Sequence, residues 1–212
     1  MHPAWCPRWE YSTDPYADPI LQGRTKEVLL WVVGESRHIQ SRACHDTRHV
    51  HGWCFRDLVP SSVKYYAGHY RGENFACLRY SQVGIPSNPL VGAQPTAVFF
   101  EITALADDVR AALRQLDHLH RAPDILTSRA EKLRRTIEVV AAVFSAFLVI
   151  HPYVNGNGHM GRFIAVTLMI RFGLRPQRFP VHPSPSAPYS QVIKRYQNGD
   201  TEPLIEYFLS CL

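Results

Sequence analysis

Between residues 128 and 172 the chain runs through two apolar stretches separated by one short, polar, glycine-rich loop, and nothing else in the sequence limits the fold as much. Ser128 to Ile150 carries apolar residues on almost every turn, so the spacing predicts a long, mostly buried helix that Pro152 ends. Met160 to Phe172 predicts another buried helix, stopped by Gly173 and Pro176. The longest apolar run, Val139 to Ile150, is interrupted by Ser145. It falls short of the roughly 18 to 20 residues that a membrane span needs, so these are core helices and no membrane is expected.

The same helical spacing recurs in Val98 to Leu119, through Ile102, Leu105, Val109, Leu113 and Leu116, and in a closing pair, Tyr189 to Tyr196 and Glu202 to Leu209. Upstream, Thr25 to Gln40 and Thr47 to Leu58 predict helices, with Gly34 as a place for the first to bend. Residues 71–96 change character: Cys77, Leu78, Tyr80, Val83 and Ile85 sit among glycines and prolines, which predicts a small β-hairpin flap. Residues 1–23, with prolines at 3, 7, 15 and 19 among Trp5, Trp9, Tyr11 and Tyr16, predict an extended arm packed by its aromatics. Phe99, Phe100 and Trp53 are expected in the core. With 212 residues the chain suits one globular domain and an arm.

The charge of +5 is scattered, so nucleic acid is not indicated. Cys6, Cys44, Cys54, Cys77 and Cys211 are odd in number and widely spaced, which predicts free thiols and no bridges. With no basic-then-apolar leader at the start, the expected location is cytoplasmic. Cys44, His45, His49, His51 and Cys54 crowd one stretch, but their spacing matches no common zinc framework, and a core surface is the expectation.

The chemistry is concentrated in His151-Pro152-Tyr153-Val154-Asn155-Gly156-Asn157-Gly158-His159-Met160-Gly161-Arg162. Gly156 and Gly158 permit backbone that turns N–H groups inward, and the helix that follows presents unpaired donors and a positive dipole end. Arg162, about one turn on, brings a planar fork suited to phosphate, and Asn157 a neutral amide. His151 is the group here able to accept a proton near neutral pH. An anion cradle beside a base suggests attack at a phosphoryl centre. Neither the Walker A spacing nor the dinucleotide fingerprint fits.

This segment resembles the motif of the Fic (Fido) family, His-Pro-Phe-x-Asp/Glu-Gly-Asn-Gly-Arg-x-x-Arg. It matches at His151, Pro152, Gly156, Asn157, Gly158 and Arg162, with Tyr153 for Phe. Gly68-His69-Tyr70-Arg71 is similar to the family's Gly-x-Tyr-Arg, and Tyr189 to Asp200 to its closing helix and turn. The resemblance implies a Fic-type helical bundle over residues 45–212 that transfers AMP, or another phosphate-containing group, from a nucleotide donor such as ATP to a Ser, Thr or Tyr hydroxyl of a target protein. On that reading His151 is the general base, Gly156, Asn157 and Gly158 hold the α- and β-phosphates, Arg162 sits on the terminal phosphate and Tyr189 contacts the nucleotide.

Asn155 stands where the family has the acid that organises Mg²⁺, so metal binding is expected to be weakened, and His159 stands for the family's first Arg. These departures keep a second reading open, a nucleotide-binding or interaction module with little or no transfer. Within residues 24–44, Ser36-Arg37-His38-Ile39-Gln40-Ser41 has the spacing of the family's inhibitory Ser/Thr-x-x-x-Glu, with Gln40 in place of the Glu that pairs with the last Arg of the motif. The implied brake is degenerate, because an amide gives Arg162 a hydrogen bond without charge assistance.

Overall fold

The computed structural model describes residues 5–85 and 88–212, and it is mainly helical. The centre is α6 (Asn157–Arg171), buried almost all round, packed on α5 (Arg129–Ile150). Gly161 makes that crossing close: a Cβ there would lie 3.1 Å from Leu148 Cδ2 and 3.2 Å from Phe144 Cε2. The Ser128 side chain caps α5 by accepting the Glu131 N–H, and Pro152 follows its end. Around this pair stand α4 (Pro95–Arg121) against α5, and α1 (Ala17–Gly34) and α2 (Arg37–His45) against α6. Helix α3 (Arg48–Phe55) packs on α1, while α7 (Tyr189–Gln197) and α8 (Glu202–Ser210) pair and close on α5.

Several expectations are corrected. Helix α1 begins at Ala17, inside the segment expected to be an extended arm, because Pro19 falls in its first turn, where a missing N–H costs nothing. The helix expected over Thr25 to Gln40 is two, divided where α1 ends at Gly34 and Ser36 caps α2. Cys6 and Cys77 form a disulfide, against the expectation of none, so the cysteines no longer argue for a reducing compartment; Cys44, Cys54 and Cys211 are free and buried. Phe99 and Phe100 are 65% and 71% exposed rather than core. No helix among the described residues is long and apolar enough to cross a membrane.

The flap also differs. Among the described residues it contains no strand ladder, only an isolated bridge between Ile85 and Asn88; its tip, residues 86–87, lies outside the described residues. Its backbone groups are spent on the end of α5 instead: Gly92 N–H donates to Val149 O and Ala93 N–H to Ile150 O. Arg71 completes the junction. The side chain is 1% exposed and, among the described residues, has no carboxylate in salt-bridge contact; it donates from Nε to His151 O (2.8 Å), from Nη1 to Ser81 O and Ala93 O (both 3.0 Å) and from Nη2 to Ile150 O (3.1 Å).

Arg71→Met would remove these four hydrogen bonds from a buried junction, leaving Ile150 O with the Ala93 N–H alone. The expected loss is about 3 kcal/mol or more of unfolding free energy, read as a lower urea midpoint at unchanged slope. A midpoint equal to that of the unsubstituted protein would mean that the junction does not depend on the guanidinium.

Candidate active site

The loop between α5 and α6 is rigid for reasons that can be followed residue by residue. His151 caps α5 in left-handed backbone (φ 54°), which turns the chain out of the helix. The Asn157 side chain accepts the Tyr153 N–H and donates to Tyr153 O, both at 2.8 Å, closing the loop on itself. Gly156 has φ 81°, and a Cβ there would lie 2.5 Å from Phe55 Cε2, so glycine is required. From behind, the buried ring of His51 accepts the Gly68 N–H on Nδ1 and donates from Nε2 to Asn155 O, each at 2.9 Å, and stacks on Tyr153. Burial holds its pKa down at about 3, so it stays a neutral clamp.

His151 Nδ1 lies 3.1 Å from Leu148 O. A carbonyl can only accept, so the neutral ring carries its proton on Nδ1 and its lone pair on Nε2. Burial first, and the charge of Arg71 as well, lower its pKa to about 4 against the opposing Leu148 bond. The ring lines a cavity of about 410 Å³, shared with Gly158, Arg162 and Tyr189 and walled by Ile85, Val91, Leu148 and Ile193. Gly158 is in the first turn of α6, whose N–H groups have no partner within the helix. The Arg162 fork lies beside it, since a Cβ on Gly158 would come 3.2 Å from Arg162 Nη1. The cavity therefore has a base, unpaired N–H donors and a guanidinium on one wall.

Arg162 is itself held: Nε donates to Val181 O at 2.8 Å, Nη1 to Ser184 Oγ at 3.3 Å, and the guanidinium lies over the Tyr189 ring at 5.9 Å. The Tyr189 ring is at the same time core, against Phe144, Phe179 and Tyr207. His159 does not line the cavity; its ring is hydrogen-bonded to His182 at 3.0 Å, and burial lowers its pKa.

Asn155 does not line the cavity. Its amide nitrogen donates to Trp9 O (3.2 Å) and to Glu10 Oε1 (3.0 Å), both on the N-terminal arm. The arm is anchored there by Trp9, which is buried, donates from Nε1 to Leu58 O and packs edge-on to Phe55 and His51.

The structure thus brings His151, Gly158, Arg162 and Tyr189 together, with Asn155, Gly156 and Asn157 as the adjoining turn. The Asn157 amide, expected to face the anion, is committed to Tyr153, leaving its backbone N–H. Ser36 and Gln40 are elsewhere: Ser36 Oγ caps α2, and Gln40 is buried with Nε2 donating to Val32 O and Oε1 without a partner among the described residues. Gln40 does not reach Arg162, because the break at Gly34 turns α2 so that this side chain meets α1. Trp9, Glu10, Ser184 and the clamp His51 were not singled out as site residues. Only the crowding of His and Cys near 51 hinted at a role there.

A model of the Fic/DOC family matches residues 44–169, more than half of the chain. A curated relative, protein adenylyltransferase Fic of Drosophila willistoni, is 26% identical over 93 residues, covering 44% of this chain and 18% of its own length. The chain thus spans less than a fifth of that relative.

Gln40→Glu would put a carboxylate in a buried site where the amide nitrogen now donates to Val32 O. The expected result is a loss of about 1–3 kcal/mol of stability with ATP affinity within about twofold by calorimetry; a much weaker ATP affinity at intact folding would put position 40 back in the site. A second expectation concerns acid. Burial holds His45 and His151 near pKa 4 and His51 near 3, whereas the unfolded chain takes up these protons near 6.5. The unfolded state binds more protons in between, so Tm should fall steadily from pH 6.5 to pH 4. A flat Tm over that range would contradict the burial of these rings as neutral species.

Proposed function

The chain belongs to the Fic/DOC family, and from that premise we propose that it is a nucleotide-dependent transferase moving AMP from ATP to a Ser, Thr or Tyr hydroxyl of a protein. The observation that carries the reading is the tautomer of His151. Its proton is committed to Leu148 O, which leaves the lone pair on Nε2, and the ring lines the same cavity as Gly158 and Arg162. A base in that state can take a proton without first losing one.

The chemistry follows from those positions. The target hydroxyl oxygen attacks the α-phosphorus while its proton passes to His151 Nε2. The bond from the α-phosphorus to the bridging oxygen breaks, and pyrophosphate leaves. The α6 N–H groups and Arg162 stabilise charge on the phosphate oxygens, at the positive end of the helix dipole. The residues around Asn155 do not fit a divalent cation on those phosphates: its amide nitrogen donates to Trp9 O and Glu10 Oε1, its Oδ1 accepts the Gly156 N–H, and none of Asn155, Trp9 and Glu10 lines the cavity.

One observation favours the second reading, binding with little transfer: two donor nitrogens of Arg162 are already engaged by Val181 and Ser184. The two readings separate in one experiment. With labelled ATP and a lysate as acceptor, the enzyme reading expects labelled protein, lost at least about a thousandfold in His151→Ala, with ATP affinity kept within about threefold. ATP binding with no label in any acceptor, the protein itself included, selects the binding module. Labelling that persists in His151→Ala removes this histidine as the base.

A further inference from the structure

The connector between α6 and α7 brings a hydroxyl to the cavity that the transfer chemistry leaves unused. Ser184 lines the cavity together with His151, Gly158 and Arg162, and its Oγ accepts a hydrogen bond from Arg162 Nη1 at 3.3 Å. Resting on the transferase reading above, we propose that Ser184 is a phosphate-binding residue, its O–H donating to the donor phosphate oxygen that the Arg162 guanidinium draws into the cavity.

The first support is the placing of protons. A hydroxyl has one proton and two lone pairs, whereas a guanidinium N–H can only donate. Arg162 therefore takes one lone pair of Ser184, and the hydroxyl proton has no acceptor among the described residues. A phosphate oxygen is an acceptor, and the guanidinium that attracts it is the one that holds Oγ. The N–H on Oγ also polarises the O–H, which strengthens its bond to an anion. The Arg162 nitrogen spent on Ser184 thus returns to the phosphate as a hydroxyl donor.

Position is the second support. Arg162 Nη1, the nitrogen that Ser184 accepts from, is also the one that a Cβ on Gly158 would approach to 3.2 Å. The first turn of α6, the guanidinium and the hydroxyl are therefore gathered about one atom, from two separate segments of the chain. The third support is order. Ser184 is exposed, but Val181 is buried with its carbonyl on Arg162 Nε, and the His182 ring is bonded to His159. Pro183 and Pro185 flank the serine and restrict its backbone, so little freedom is left to lose on binding.

The test is calorimetry with α,β-methylene-ATP, whose α–β bridge does not break, on the unsubstituted protein, Ser184→Ala and Ser184→Thr, with the urea midpoint of each. Expected is binding weakened about tenfold in Ser184→Ala and restored to within about threefold in Ser184→Thr, which keeps the hydroxyl, at an unchanged midpoint in all three. Undiminished binding by Ser184→Ala overturns the assignment, and tighter binding does so by showing that the serine is a plug on Arg162. Ser184→Thr as weak as Ser184→Ala overturns it as well, because the loss then does not follow the hydroxyl. Each of these results leaves the transferase reading intact. Failure of the unsubstituted protein to bind the analogue overturns both.

Discussion

One buried guanidinium sets the geometry on which the site depends. Arg71 crosses from the start of the flap to the end of α5 and bonds four carbonyls, with no carboxylate in salt-bridge contact among the described residues, and burial pulls its pKa down to about 10. Such an arrangement is costly unless every donor finds an acceptor. Two of its acceptors, Ile150 O and His151 O, are carbonyls that the end of the helix leaves without a partner inside the helix. The backbone N–H of Arg71 adds Pro152 O, so three successive carbonyls are held by one residue. With that end fixed, the imidazole of His151 has Leu148 O as its partner, and its lone pair is assigned.

Downstream, the turn is held by neutral groups. Asn157 pairs with Tyr153, His51 holds Asn155 O, and Phe55 closes against Gly156. The buried rings of His51 and His159 are held neutral, so they add no charge beside Arg162 and the α6 N-terminus. Positive potential at that end of the cavity comes from the helix and one arginine. The arm on the far side of Asn155 brings the opposite sign.

The loop and its flanking helices were legible because their signals are local. Apolar spacing marked α5 and α6, Pro152 and Gly173 marked their ends, and the two glycines marked the turn between them. What was not legible depends on distance in sequence. Nothing near residue 10 announces residue 155, or near residue 6 residue 77; the pairings go with the buried Trp9, whose ring packs on Phe55 and His51 and bonds Leu58 O. The inhibitory spacing at Ser36 and Gln40 misled for a related reason. A short motif specifies its residues but not the direction of its helix, and the break at Gly34 set that direction. The flap misled through its residue types, which favour strands, whereas the carbonyl end of α5 and Arg71 took up its backbone groups.

The protonation of His151 is the most direct measure of this arrangement. Nitrogen-15 NMR of the imidazole, followed from pH 8 to pH 3.5 with His151→Ala used for assignment, reads both the tautomer and the pKa. The expected spectrum shows the proton on Nδ1 and Nε2 unprotonated at neutral pH, with titration near 4. A proton on Nε2, or a titration at the ordinary 6.5, would contradict the Leu148 bond and remove the base from the cavity.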